Sequence, residues 1–156
     1  MSWTICFGLK IGAGVSAPQE NIFFRHAVVY DTSLAIGIHF QYGNAWVKNV
    51  VFEDIDVEMC TWTNMNMRTW CAFFVTGGTD TDVPGETAIR AVTVRDVRVR
   101  DLGKTVAKIE GRGSGRGMVE GIVFENILLP GGGKAKTLKE MGFEGGVKFV
   151  EGVVVR

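Results

Sequence analysis

One pattern recurs along this chain and limits what it can fold into. It reads apolar, any, apolar, two polar-leaning positions, apolar, any, apolar. It occurs at Ile22, Phe24, Ala27 and Val29, and again at Val50, Phe52, Ile55 and Val57. It returns at Val92, Val94, Val97 and Val99, then at Ile122, Phe124, Ile127 and Leu129, and a fifth copy opens at Val153 and Val155. The first apolar positions are 28 (Ile22 to Val50), 42 (to Val92), 30 (to Ile122) and 31 (to Val153) residues apart. Self-similarity at such a spacing is the signature of stacked repeats.

Within each copy the period is two, then a two-residue break, then two again. That describes a pair of short strands meeting at a corner. A third strand precedes the corner in most copies: Gly8–Gly12, Ala35–Phe40, Cys71–Val75 and Val106–Glu110. Three short strands per unit of about thirty residues predict an all-β chain, a right-handed parallel β-helix of about five coils. Residues 1–156 form one domain on this reading, or a piece of a longer solenoid. The wide spacing of 42 implies an excursion, either in Thr61–Trp70 or in Gly77–Glu86 with its Gly-Gly and Pro-Gly turns. The 21 Gly against 3 Pro, with abundant Val, agree with strands and tight turns.

At the corners, superposed copies stack Arg25, Glu53, Arg95 and Glu125, alternating in sign, beside His26, Asp54, Asp96 and Asn126. Strands about 4.8 Å apart would bring these into mutual reach. Asp54, Asp56 and Asp96 are therefore read as ladder residues before they are read as acids for catalysis.

The repeat and three segments resemble the pectin-lyase-like parallel β-helices, and more narrowly the polygalacturonase family of glycoside hydrolases (family 28). Cys6-Phe7-Gly8-Leu9-Lys10-Ile11-Gly12 is similar to that family's C-x-A-I-K-S-G strand. Ser16–Ile22 resembles the S-x-N-I corner, and Gly113–Ile127 resembles the G-R-G-G-x-V-x-N-I-x-F-x-N-I coil. The resemblance implies a β-helix of carbohydrate ancestry in a mostly secreted family. Departures bear on activity. The family's Asp-Asp pair falls at Thr4 and Ile5, its G-H-G motif near Leu34–Gly37 without histidine, and its R-I-K motif at Lys108-Ile109-Glu110. The N-x-D motif has no matching coil. The chain thus reads as a partial relative without the catalytic motifs.

On the upstream strands, alternation points Leu9, Ile11, Ile36, Ile38 and Ile109 inward. Lys10, His39, Lys108 and Glu110 then point outward and form the candidate substrate-binding set. Two lysines and a histidine suit an anionic polysaccharide. Glu110 is the one carboxylate of the four, so an acid–base pair would have to borrow Asp31, Asp80 or Asp82. Trp46, Trp62, Met65, Met67 and Trp70 are either sugar platforms or cover for the helix side. His26 reads as a structural corner residue.

The remaining composition narrows the classes. Lys plus Arg and Asp plus Glu both total 17, which disfavours nucleic acid as a partner. The cluster Arg90, Arg95, Arg98, Arg100 and Lys104 is interleaved with Asp96 and Asp101. Cys6, Cys60 and Cys71 show no metal spacing, two histidines make a zinc site unexpected, and no cofactor is expected. Gly111–Gly117 lacks the Lys-Ser/Thr ending of a phosphate loop and reads as a tight corner. No apolar run spans a membrane and no leader opens the sequence, so the chain as written reads as cytoplasmic. Open ends at Met1 and after Val153–Val155, with Lys134–Met141 the lone helix-like cap, predict a homo-oligomer, most simply a dimer. The expected role is a carbohydrate-associated, non-catalytic glycan-binding or remnant domain. The alternatives are a divergent glycoside hydrolase with relocated acids and a structural assembly module.

Overall fold

A computed structural model describes residues 7–63, 66–76, 87–113 and 117–156. The strands are β1 (Phe7–Gly14), β2 (Gln19–Asp31), β3 (Leu34–Tyr42), β4 (Val47–Met59), β5 (Thr69–Val75), β6 (Thr87–Val99), β7 (Lys108–Glu110), β8 (Met118–Leu128), β9 (Val147–Lys148) and β10 (Val150–Val155). The chain alternates between two five-stranded sheets. Odd strands pair in the order β1-β3-β5-β7-β9 and even strands in the order β2-β4-β6-β8-β10. Every pairing between these strands is parallel. The described residues contain no helix.

The repeating pattern is the register of the even sheet. Ile22, Val50, Val92, Ile122 and Val153 lie in one row, and Phe24, Phe52, Val94, Phe124 and Val155 in another. Ala27, Ile55, Val97 and Ile127 form the third. These rows share one core with Ile36, Ile38, Phe73 and Ile109 of the odd sheet. Phe73 lies 5.9 Å from Phe52 and 6.5 Å from Phe124, ring centre to ring centre.

The corner is where the sequence reading needs revision. The two short strands expected on either side of it are one continuous strand of up to 13 residues, so each pass has two strands and not three. The break is a single residue in the left-handed region: His26, Asp54, Asp96 or Asn126, all with φ near 53°. A second such column stands five residues earlier, at Asn21, Asn49, Ala91, Gly121 and Gly152. Asn, Asp and Gly tolerate this conformation, whereas a Cβ without a polar tip is penalised by about 1 kcal/mol. Asn49 Nδ2 also donates to Asn21 Oδ1 at 2.6 Å.

Ala91 is the exception in that column, at φ 54° and exposed. Ala91→Asn is expected to raise stability by about 0.5–1 kcal/mol, by relieving the backbone and extending the amide ladder from Asn49. A chemical-denaturation midpoint that falls would refute this.

The charge ladder takes the expected form. Glu53 accepts from Arg25 at 2.7 Å and from Arg95 at 2.8 Å. Arg156 continues the row to Glu125 at 3.0 Å. His26 Nδ1 lies 2.8 Å from Asp54, and Asn126 donates to Asp96 at 2.7 Å. Arg98 joins Asp54 and Asp56 at 2.9 and 2.6 Å. Asp54 is held below the usual carboxylate range by hydrogen bonds from His26 and Arg98. These carboxylates are committed to the stack.

The excursion is not confined to one loop. Leu34 pairs with Thr69, 35 positions on, midway between the 28 from Gln19 to Val47 and the 42 from Val47 to Ile89. Each crossing beside β5 therefore carries seven of the fourteen extra residues. The helix expected at Lys134–Met141 is also absent. Glu140 accepts from the amides of Lys136 and Thr137 while its own amide reaches Thr137 Oγ1, as at a helix start. Gly142 then takes φ 85° and the segment turns away. It does fold back, burying Ala135, Met141 and Phe143 in the main core. The indole of Trp70 donates to the Met141 carbonyl at 2.8 Å.

Candidate functional site

The odd sheet has one face on the core and one face outward. Lys10, Gly37, Ala72 and Lys108 stand in one outward row. Gly12, His39, Phe74, Glu110 and Lys148 stand in the next. The four residues singled out by alternation thus share a face in two adjacent rows. Lys10 and Lys108 are three strand spacings apart, roughly 14 Å. Ile11, Ile36, Ile38 and Ile109 on the opposite parity are buried, and Leu9 packs against the same core.

Exposure separates the set. Lys10, Lys108 and Glu110 are half-buried. Lys10 Nζ sits 4.4 Å above the Phe7 ring and 3.4 Å from the Gly12 carbonyl. Glu110 lies 3.9 Å from Lys148 Nζ, one strand over. His39 does not line an exposed surface, contrary to expectation; it is 1% exposed. Its ring stacks on Phe74 at 4.3 Å, and Nε2 is 2.9 Å from Thr76 Oγ1. Nδ1 is buried without a partner. Burial, helped by the charge of Lys10, lowers its pKa from 6.5 to about 4. At neutral pH the ring is uncharged and contributes no cation.

The reason is a second apolar layer on this face. Leu34, Met67, Ala72 and Phe74 are buried together, with Phe7 packed against them. Gly37 completes the fit, since a Cβ there would stand 2.5 Å from Leu34 Cδ2. The residues missed were therefore Leu34, Phe74 and Thr76. A signal existed: Cys71–Val75 is apolar throughout, the mark of a strand covered on both faces.

The borrowed acids and the aromatics divide similarly. Asp31 accepts from the amide and hydroxyl of Thr61. Burial raises its pKa, but hydrogen bonds from Thr61 and Trp62 outweigh that and lower it overall. It is tied to Thr61 in the segment that follows β4. Asp80, Asp82 and Met65 lie outside the described residues. Met67 and Trp70 are buried and structural. Trp46 and Trp62 are exposed, and the Trp46 indole donates to Glu20 at 2.6 Å.

Cys60 and Cys71 are buried free thiols, and burial pushes both pKa values up, Cys60 to about 12. Neither is suited to nucleophilic work. Among the described residues no three His, Cys, Asp or Glu side chains converge as for a metal ion. No helix of the described residues is long and apolar enough to cross a membrane. No protein-family model, curated protein or solved structure matches the chain.

Proposed function

We propose that the chain is a right-handed parallel β-helix of pectin-lyase-like type, resembling the polygalacturonases, and that it binds an anionic polysaccharide without cleaving it. The flanks of the odd sheet's outward face, to either side of the layer formed by Leu34, Met67, Ala72 and Phe74, are the binding surface, with Lys10 and Lys108 as the cations that hold the glycan. Parallel strands alternating between two sheets support the fold part of this reading. The observation that carries the function is the charge on that face. Glu110 is the single carboxylate in the two outward rows, and it sits beside Lys148. Glycoside hydrolysis normally uses two carboxylates across the bond, whereas adhesion to a polyanion needs cations alone.

Exchanging both Lys10 and Lys108 for Ala is expected to abolish binding to polygalacturonate at low salt. The parent's affinity should fall steeply with added NaCl. Reducing ends released from the same polymer should stay at background. Unchanged affinity in the double variant, no affinity in the parent, or steady release of reducing ends would each overturn the proposal.

A further inference from the structure

A hollow of about 310 Å³ lies at the C-terminal ends of β6 and β8 in the even sheet, and shares no residue with the lysine face. Its walls are Arg98, Val99, Arg100, Leu128, Leu129, Pro130, Gly131 and Gly132. We propose that it binds a small oxyanion, a carboxylate or phosphate group, whose apolar body rests on Leu128, Leu129 and Pro130. This site is independent of the polysaccharide surface.

The lining includes two arginines and no acidic residue. The acids that pair with them all belong to β4. Arg98 bonds to Asp54 and Asp56, and Arg100 to Glu58 at 2.9 Å. β4 flanks β6 on the side away from β8. The carboxylates therefore anchor the guanidinium groups from behind, while on the β8 side Arg98 faces Leu128 in register. An arginine fixed by a carboxylate on one edge is pre-set to present its other donors, and the planar fork suits an oxyanion.

A third cation follows the lining in sequence, two residues beyond Gly132. Lys134 is bridged antiparallel to Leu128, and residues directly opposite in such a pair share a face. It makes no ion pair among the described residues. The turn between them is Pro130-Gly131-Gly132-Gly133. Gly131 and Gly132 have φ near 90° and need glycine for the turn. Gly133 has no such φ, and a Cβ there would touch nothing within 4 Å. Neither backbone nor packing demands glycine at 133, so a larger side chain can be placed there, next to the lining residue Gly132.

The test is an amide chemical-shift titration of the whole chain in 150 mM NaCl, with inorganic phosphate in one arm and benzoate in the other. Saturable shifts confined to residues 98–100 and 128–134 are expected in at least one arm. Phosphate alone would identify a phosphoryl ligand, and benzoate a carboxylate with an apolar body. Arg100→Gln should weaken the response at least tenfold, and Gly133→Glu should abolish it, with thermal midpoints within a few degrees of the parent. Shifts spread equally over Arg25 and Arg95, no saturation in either arm, or an unaltered response in both variants would overturn the assignment.

Discussion

Phe52→Ala is expected to lower the unfolding free energy by about 3–5 kcal/mol. Phe52 is fully buried in the centre of the shared core. Phe24 stacks on it at 4.9 Å with the rings 6° from parallel, Phe73 approaches from the odd sheet, and Val94 is its neighbour in register. The strand that carries it is hydrogen-bonded on both sides. The backbone therefore cannot collapse into the space left by the ring, and the upper part of the range applies. Domains of this size have about 5–15 kcal/mol in total, so the variant should be marginal at 37 °C. Phe24→Ala, at the half-buried outer end of the same row, should lose less. Urea titration reads both, and a loss below about 1 kcal/mol for Phe52→Ala would mean that the column does not pack as described.

The second large effect is with pH. His39 in the folded chain has a pKa of about 4, against 6.5 for the free side chain. Between those values the unfolded chain binds a proton that the folded chain refuses. The contribution of the neutral ring is therefore fully present above pH 6.5 and is lost as pH falls through 4. The difference corresponds to at most about 3 kcal/mol. Asp31 and Asp54, both lowered from 3.8, lose their contributions only at lower pH. His39→Phe keeps the stack on Phe74 and cannot titrate. Comparing urea midpoints at pH 7 and pH 4.5 should show a large drop in the parent and a much smaller one in the variant. Equal drops would show that His39 is not the group responsible.

The even sheet was legible because each of its apolar residues has one job. One face of the strand meets the core, so parity and register can be read from Ile22, Phe24, Ala27 and Val29 directly. The corner residue was legible as a break, but its left-handed φ was not inferred. The earlier column at Asn21 was overlooked because Ala91 interrupts an otherwise readable run of Asn and Gly. The odd sheet resisted for the opposite reason. Parity correctly placed Lys10, His39, Lys108 and Glu110 on one face, but exposure depends on what covers that face. Leu34 and Met67 reach it from outside the strand interiors that alternation describes. The fold-back of Met141 and Phe143 was likewise hidden, because a segment with Thr137 and Glu140 arranged as a helix start reads as helix until Gly142 is weighed.

The split excursion beside β5 bears on how such a chain can change over time. Closing a loop of 42 residues in place of 28 costs only about 0.4 kcal/mol of chain entropy. Seven residues were accommodated at each of two crossings without shifting the register of β3 on β5 or of β4 on β6: Phe52 still meets Val94, and Phe40 still meets Val75. The rungs are specified by the strands and their left-handed corners, and the crossings only have to be long enough. New sequence can enter at those crossings in small steps and be lost again with little penalty. The strands give this chain its permanence, while the crossings beside β5 are where it can acquire novelty.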